Sequence, residues 1–322
     1  MLCTFLRNVS FEKNFKLLKE NRSLELQFSN YDSILRGTLN ERMIKDQLGR
    51  RFTDDISESA LVYTHVPQIN GIQAGVALAN IIAYSQWFSN ALWLMKDNAS
   101  SAYLSFYIND SNTTFDSNMV YRVFTKSDAT YENVSYSNEE IDNAIQYYNQ
   151  ITYYYRNNSA NVTELRDGMV TFANELEKET TNFARAIDLI TEARKSDFLP
   201  TKVANYISVL ECLMCVSHDN THRVSERTAL FISSNFEERK TIYNNVKSAY
   251  DIRSKYVHGS TQSKKRDKIK TISVTLDDIV RKVILKCFNE YPELNVGGEN
   301  ANSYESVNKF FNNLIFKGDL EK

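Results

Sequence analysis

Arg253 and His258 stand with four residues between them in SAYDIRSKYVHGS, 248–260, and Gly259 follows at once. A guanidinium grips a phosphate with parallel N–H donors and stabilises charge that develops on it, but it cannot act as a base. An imidazole supplies the complementary function, giving and taking a proton near neutral pH. With no carboxylate ligands for a metal beside them, the two residue types suit RNA cleavage through the 2′-hydroxyl. The spacing also fits a plainer reading, with Arg253 on a solvated helix face and His258 capping a helix C-terminus. Five steps along an α-helix turn through about 500°, which leaves the two side chains about 140° apart. Either the helix stops between them, or another element or another chain completes the site. Gly259 is a natural C′ residue. It places His258 in a last turn, where the negative end of the helix dipole favours imidazolium.

Other residues bear on the same site. Between Arg253 and Lys270 stand seven basic residues and one acid, Asp267. Lys255, Lys264, Lys265, Arg266, Lys268 and Lys270 read either as a phosphate-tracking patch for RNA or as a solvated basic loop. Glu211 sits at the edge of an apolar stripe. It either orients Arg253 from a neighbouring helix or is a partly exposed surface glutamate. The rival motif is CLMCVSHDNTH, with Cys212, Cys215, His218 and His222, all zinc-ligand types. Only two residues separate the Cys and His pairs, and a continuous helix would hold the outer ligands about 15 Å apart. The favoured expectation is that the cysteines are small core residues and the histidines lie in a turn. No metal and no cofactor is expected.

The elements around these residues set the context. Residues 199–259 contain LPTKVANYISVLECLMC, then HRVSERTALFI, then EERKTIYNNVKSAYDIRSKYVHG. This series resembles the Apea-like branch of the HEPN superfamily: Leu210-Glu211 on one helix, Ser225-Glu226-Arg227-Thr228-Ala229 on the next, and Tyr250 to Gly259 closing the set. The segment FSNALWLMKDNAS (88–100) is similar to the region that precedes the HEPN helices. The resemblance implies an up-and-down helical bundle and a homodimer whose Arg-x4-His motifs face each other across a cleft. It further implies metal-independent endoribonuclease activity of the toxin or antiviral-defence type, with an antitoxin or a phage-derived trigger as a possible further partner. Arg253 and His258 take the catalytic roles, with Tyr250, Ser254 and Glu211 in support. Active members often carry Asn, Asp or His after the arginine, and here the residue is Ser254. The alternative is a non-catalytic HEPN module that binds RNA or a nucleotide, or acts as a scaffold.

Along the chain, 322 residues provide for two modest domains. A net charge of −2 excludes a global field that would draw the protein to nucleic acid or membrane. Three prolines and nine glycines favour long helices over an all-β fold. The expected fold is mainly α: an N-terminal mixed α/β region, 1–136, with a small β-hairpin and a sensing or regulatory role, then a helical HEPN-like domain, 137–322. Residues 11–28 and 40–50 read as short helices, 59–67 as a strand, and 72–96 as a helix with apolar residues at threes and fours. Strands at 102–108 and 119–125 suggest the hairpin. Ser137 with Glu140 is a capping-box pattern. Helices are expected over 162–195, 199–217, 225–233, 237–257, 276–291 and 304–316, with 261–270 as a basic loop. No signal peptide or membrane span is expected, since 71–95 is interrupted by Asn80, Ser85, Gln86, Ser89 and Asn90. Four cysteines make no secreted disulfide framework, and the expected setting is the cytoplasm.

Overall fold

The computed structural model describes residues 1–18, 25–30, 59–66, 69, 71–108, 115–119, 123–158, 164–166, 169–171, 182–214, 220–259, 266–290 and 304–317. Among these the chain is mostly helical, with eight helices and an N-terminal antiparallel sheet. It divides into two compact units, 1–126 with 131–175, and 127–130 with 176–322.

In the first unit, a long apolar run rather than alternation marks the central strands. β1 (Leu2–Arg7) and β6 (Ser101–Ile108) are buried almost throughout, as strands covered on both faces are. They lie side by side within a six-stranded sheet of order β3-β4-β5-β1-β6-β7, completed by β3 (Phe15–Leu18), β4 (Glu25–Asn30), β5 (Ala60–Thr64) and β7 (Phe115–Met119). β2 (Val9–Phe11) pairs in parallel with β8 (Val134–Tyr136). Helix α1 (Gly71–Met95) packs on β1 and β6. Every residue from Phe88 to Leu94 is buried, so no polar face is left. Its buried hydroxyls are satisfied locally: Ser85 donates to the Ile81 carbonyl at 2.7 Å and Ser89 to that of Ser85 at 3.1 Å. Phe88 meets Phe15 and Phe28, which stack on each other with centroids 4.7 Å apart.

Helix α2 (Asn138–Asn158) packs on α1, so it belongs to the first unit rather than to a helical domain beginning at 137. Its capping box forms in both directions. The Glu140 backbone N–H donates to the Ser137 hydroxyl at 3.3 Å, and that of Ser137 to the Glu140 carboxylate at 2.9 Å. Lys96 Nζ lies 2.7 Å from the same carboxylate.

The expected helix over 11–28 is replaced by strands. Its apolar residues fit both periods, and cross-strand pairing of Phe15 with Phe28 and Leu17 with Leu26 selects period two. The 40–50 segment lies outside the described residues. The hairpin forms with its second strand earlier than expected, because Ile108 pairs with Phe115 directly. Within 162–195, β9 (Glu164–Arg166) and β10 (Met169–Thr171) pair antiparallel, and the described helix is Asn182–Lys195. Asp-Gly at 167–168 is the two-residue sequence signal for such a pairing.

The second unit is helical: α3 (Asn182–Lys195), α4 (Leu199–Met214), α5 (Asn220–Ile232), α6 (Phe236–Val257), α7 (Arg266–Glu290) and α8 (Tyr304–Lys317). α4 packs against α3, α5, α6 and α7. Three buried polar contacts hold these helices. Lys202 donates to the Ala193 carbonyl at 2.8 Å, capping the end of α3. Tyr206 donates to Asp277 at 2.6 Å, and Arg281 Nε pairs with that carboxylate at 3.2 Å. Arg227 donates to the Met214 carbonyl at 2.6 Å and to Asn308. Helix α7 starts at Arg266, ten residues ahead of the expected Leu276, so the second half of the expected basic loop is helical. Among the described residues, no helix is long and apolar enough to cross a membrane.

Burial alone would raise the Glu140 carboxyl. Hydrogen bonds from Lys96 and Ser137, with the Lys96 charge, outweigh it and hold the group below its ordinary value. A depressed carboxylate contributes stability above its unfolded value of about 4.3 and loses it as pH falls through the lower folded value. Glu140→Gln should therefore reduce stability at neutral pH and flatten the acid limb below about pH 4.5. Chemical denaturation at a series of pH values measures both effects.

Candidate functional site

Helix α6 carries most of the proposed site, and its ends are well specified. The Asn235 side chain accepts from the Glu238 N–H at 3.0 Å, with Glu237 and Glu238 in the first turn and Lys255 in the last. Ile242, Val246, Ala249, Tyr250 and Ile252 form the buried side. The helix runs through Val257 and ends at His258 itself, whose N–H donates to the Ser254 carbonyl at 3.0 Å. Gly259 follows at φ 72°, and its N–H donates to the Tyr256 carbonyl at 3.1 Å. A side chain at Gly259 would meet nothing within 4 Å, so the glycine is required by backbone conformation, not by space.

The early stop between Arg253 and His258, one of the two expected ways of completing the pair, does not occur. The helical frame keeps the two positions about 140° apart, with Arg253 half-buried and His258 exposed. The arginine side is completed by α4. Glu211 Oε1 accepts from Arg253 Nη1 at 2.7 Å and from the Tyr250 hydroxyl at 3.0 Å. The Glu211 side chain is 19% exposed and that of Arg253 32%, so the pair is neither fully buried nor freely solvated. The guanidinium carbon lies 5.9 Å from the Tyr250 ring centroid. Of the two readings of Glu211, the orienting one matches this geometry. Tyr250 is almost buried, and burial, then the charge and hydrogen bond of Glu211, push its phenol well above its ordinary value. It is therefore a fixed neutral donor at physiological pH, not a proton shuttle.

The remaining expected residues are not gathered as tightly. Ser254 and Lys255 are exposed on α6. Arg266 and Lys268 are exposed in the first turn of α7, while Lys264 and Lys265 lie outside the described residues. Lys270 is engaged at 3.1 Å by Asp128. The rival metal motif is divided. Cys212 Sγ donates to the Asn182 carbonyl at 3.1 Å, and His222 Nδ1 lies 2.9 Å from the Tyr243 hydroxyl. Cys215 and His218 lie outside the described residues, and among those described no group of three metal-ligating side chains gathers.

Three residues went unnoticed in the sequence. Thr201 on α4 donates to the Tyr256 hydroxyl at 2.9 Å, and the rings of Phe198 and Tyr256 lie 5.8 Å apart. Tyr256 stands three residues after Arg253, the spacing of neighbours on one helix face, and that was the available signal. Comparison with protein-family models, curated proteins and solved structures found no match.

A double-mutant cycle of Glu211→Ala with Arg253→Ala should give a coupling of about 1–2 kcal/mol. That lies between the values for exposed pairs and for hydrogen bonds to buried charges. Denaturant midpoints of the four proteins measure it, and coupling near zero would mean the pair is merely a surface contact.

Proposed function

We propose that this protein is a metal-independent endoribonuclease of the HEPN type, acting as a homodimer in toxin or antiviral defence. The observation that carries this reading is the anchored arginine. Glu211 and Tyr250 hold Arg253 from one side, and only one of its five N–H donors is engaged by the carboxylate contact. The others can grip the scissile phosphate and stabilise the added charge of its transition state. His258, exposed beyond the helix end, is accessible as general acid or base. The reaction is in-line attack by the 2′-hydroxyl on phosphorus. The P–O5′ bond breaks, a 2′,3′-cyclic phosphate forms, and a proton passes to the departing 5′-oxygen. One copy separates Arg253 from His258 around the helix. A second copy facing the first across a cleft brings the partner's His258 within reach of the same chain of RNA. The exposed Lys255, Arg266 and Lys268 favour the polyanion electrostatically. The N-terminal unit has the sensing or restraining role in this reading.

The half-buried pairing of Arg253 with a carboxylate, together with Ser254 after it, also fits a non-catalytic module that binds RNA or a nucleotide. One experiment separates the two. Purified protein should cut single-stranded RNA in EDTA to products ending in 2′,3′-cyclic phosphate, and His258→Ala should lower the rate by about 10²–10⁴-fold. His258 is exposed, so its circular dichroism spectrum and melting point should stay at wild-type values. Equal behaviour of wild type and variant ends the enzyme reading; RNA binding without cleavage favours the second.

A further inference from the structure

The second unit carries an exposed aromatic pair for which the ion-pair chemistry has no use. Phe198, the residue just before α4, is 55% exposed, and Tyr256, in the last turn of α6, is 39% exposed. Their centroids lie 5.8 Å apart with planes inclined at 60°. The pair lies open to water, where leaving it uncovered forgoes its hydrophobic stabilisation.

Three features define what the pair is shaped to bind. The Tyr256 hydroxyl accepts from Thr201 at 2.9 Å, which ties that ring to α4, and Phe198 lies against it. The Tyr256 ring is thus restrained before anything binds, which lowers the cost of ordering it. Second, Tyr256 and Arg253 are i, i+3 neighbours on α6, with β-carbons about 5–6 Å apart. An aromatic surface thus lies one helical turn from a cation, about the reach from a phosphate to its own base. Third, Arg253 keeps N–H donors beyond the one given to Glu211, and Lys255 is exposed on α6, while the acid Asp197 adjoins Phe198. A purely apolar partner would leave those donors without an anion. A single-stranded nucleic acid brings a π-face and a phosphate on the same unit.

We infer that Phe198 and Tyr256 form a stacking platform for one unpaired base of RNA next to the phosphate held by Arg253. Such a platform distinguishes a single strand from a duplex, because a base inside a duplex has no free face to stack. The inference rests on the proposed RNA-directed reading of the Arg253 site, but on binding rather than on cleavage.

The test is fluorescence anisotropy on the full chain, with a short labelled RNA single strand, 2′-O-methylated so that it is not cut, and with the matching duplex. Phe198→Ala should weaken single-strand binding about 5- to 150-fold, the loss expected for one base–aromatic stack. Phe198→Trp should bind within about 2-fold of wild type, as the stacking energetics of one aromatic ring for another allow. Tyr256→Phe, which keeps the ring and loses the Thr201 contact, should fall between. Duplex binding and the mass by light scattering should not change. The platform is overturned by wild-type affinity in Phe198→Ala, by equal losses on single strand and duplex, or by dissociation of an oligomer in Phe198→Ala. The last result would mean that a second copy covers the rings. The two readings fail separately. Phe198-dependent binding by a protein that cuts nothing keeps the platform and ends the nuclease. Cleavage lost in His258→Ala, with single-strand binding intact in Phe198→Ala, does the reverse.

Discussion

The placement of Arg253 depends on one contact, its ion pair with Glu211 between α4 and α6. A partly desolvated guanidinium is costly without a carboxylate, and a half-buried carboxylate is costly without a donor. Each therefore requires the other helix at a definite height and rotation. Tyr250 adds a second donor to the same oxygen and narrows the allowed geometry further. The position of Arg253 is thus inherited from α4. That helix is itself held at several points: Lys202 against the end of α3, Tyr206 against Asp277 of α7, and the Met214 carbonyl against Arg227 of α5. These polar anchors specify one arrangement where apolar packing alone would tolerate several.

His258 is positioned by a different kind of force. Nothing in the core holds it; the backbone does. The helix ends because Gly259 takes up a positive φ, and the two N–H groups at 258 and 259 turn back onto carbonyls of the last turn. Arg253 is thus set by a contact between two helices, and the exposed His258 by the backbone at the end of one of them.

Legibility from the sequence followed the range of the interactions. The α1 periodicity, the Ser137–Glu140 capping box and the glycine stop of α6 are local, and each forms as its residues suggest. The segment 11–28 failed because its apolar residues satisfy helical and strand periods alike. Phe15 on Phe28 is decided by chain folding in from β5 and β4. The helix at Asn138–Asn158 was legible as a helix, but its membership in the first unit was not, because an amphipathic stripe does not name the surface it will cover. At the site, Arg253 and His258 stood out by type and spacing, and Glu211 stood out only as a carboxylate at a stripe's edge. Phe198 and Thr201 lie 55 or more residues from Tyr256, beyond any pattern of spacing.

By itself the sequence determined a mostly helical chain, about where the helices of the second unit end and where three of the six begin, and the presence of a cation and an imidazole at one helix terminus. These follow from capping, periodicity and backbone preference, which act over a few residues. Only the tertiary structure decided that six strands join in one antiparallel sheet, that Glu211 is the residue that holds Arg253, and that Phe198 comes to rest against Tyr256. Those outcomes depend on contacts between residues far apart in the chain, whose partners are chosen by the packing of whole elements.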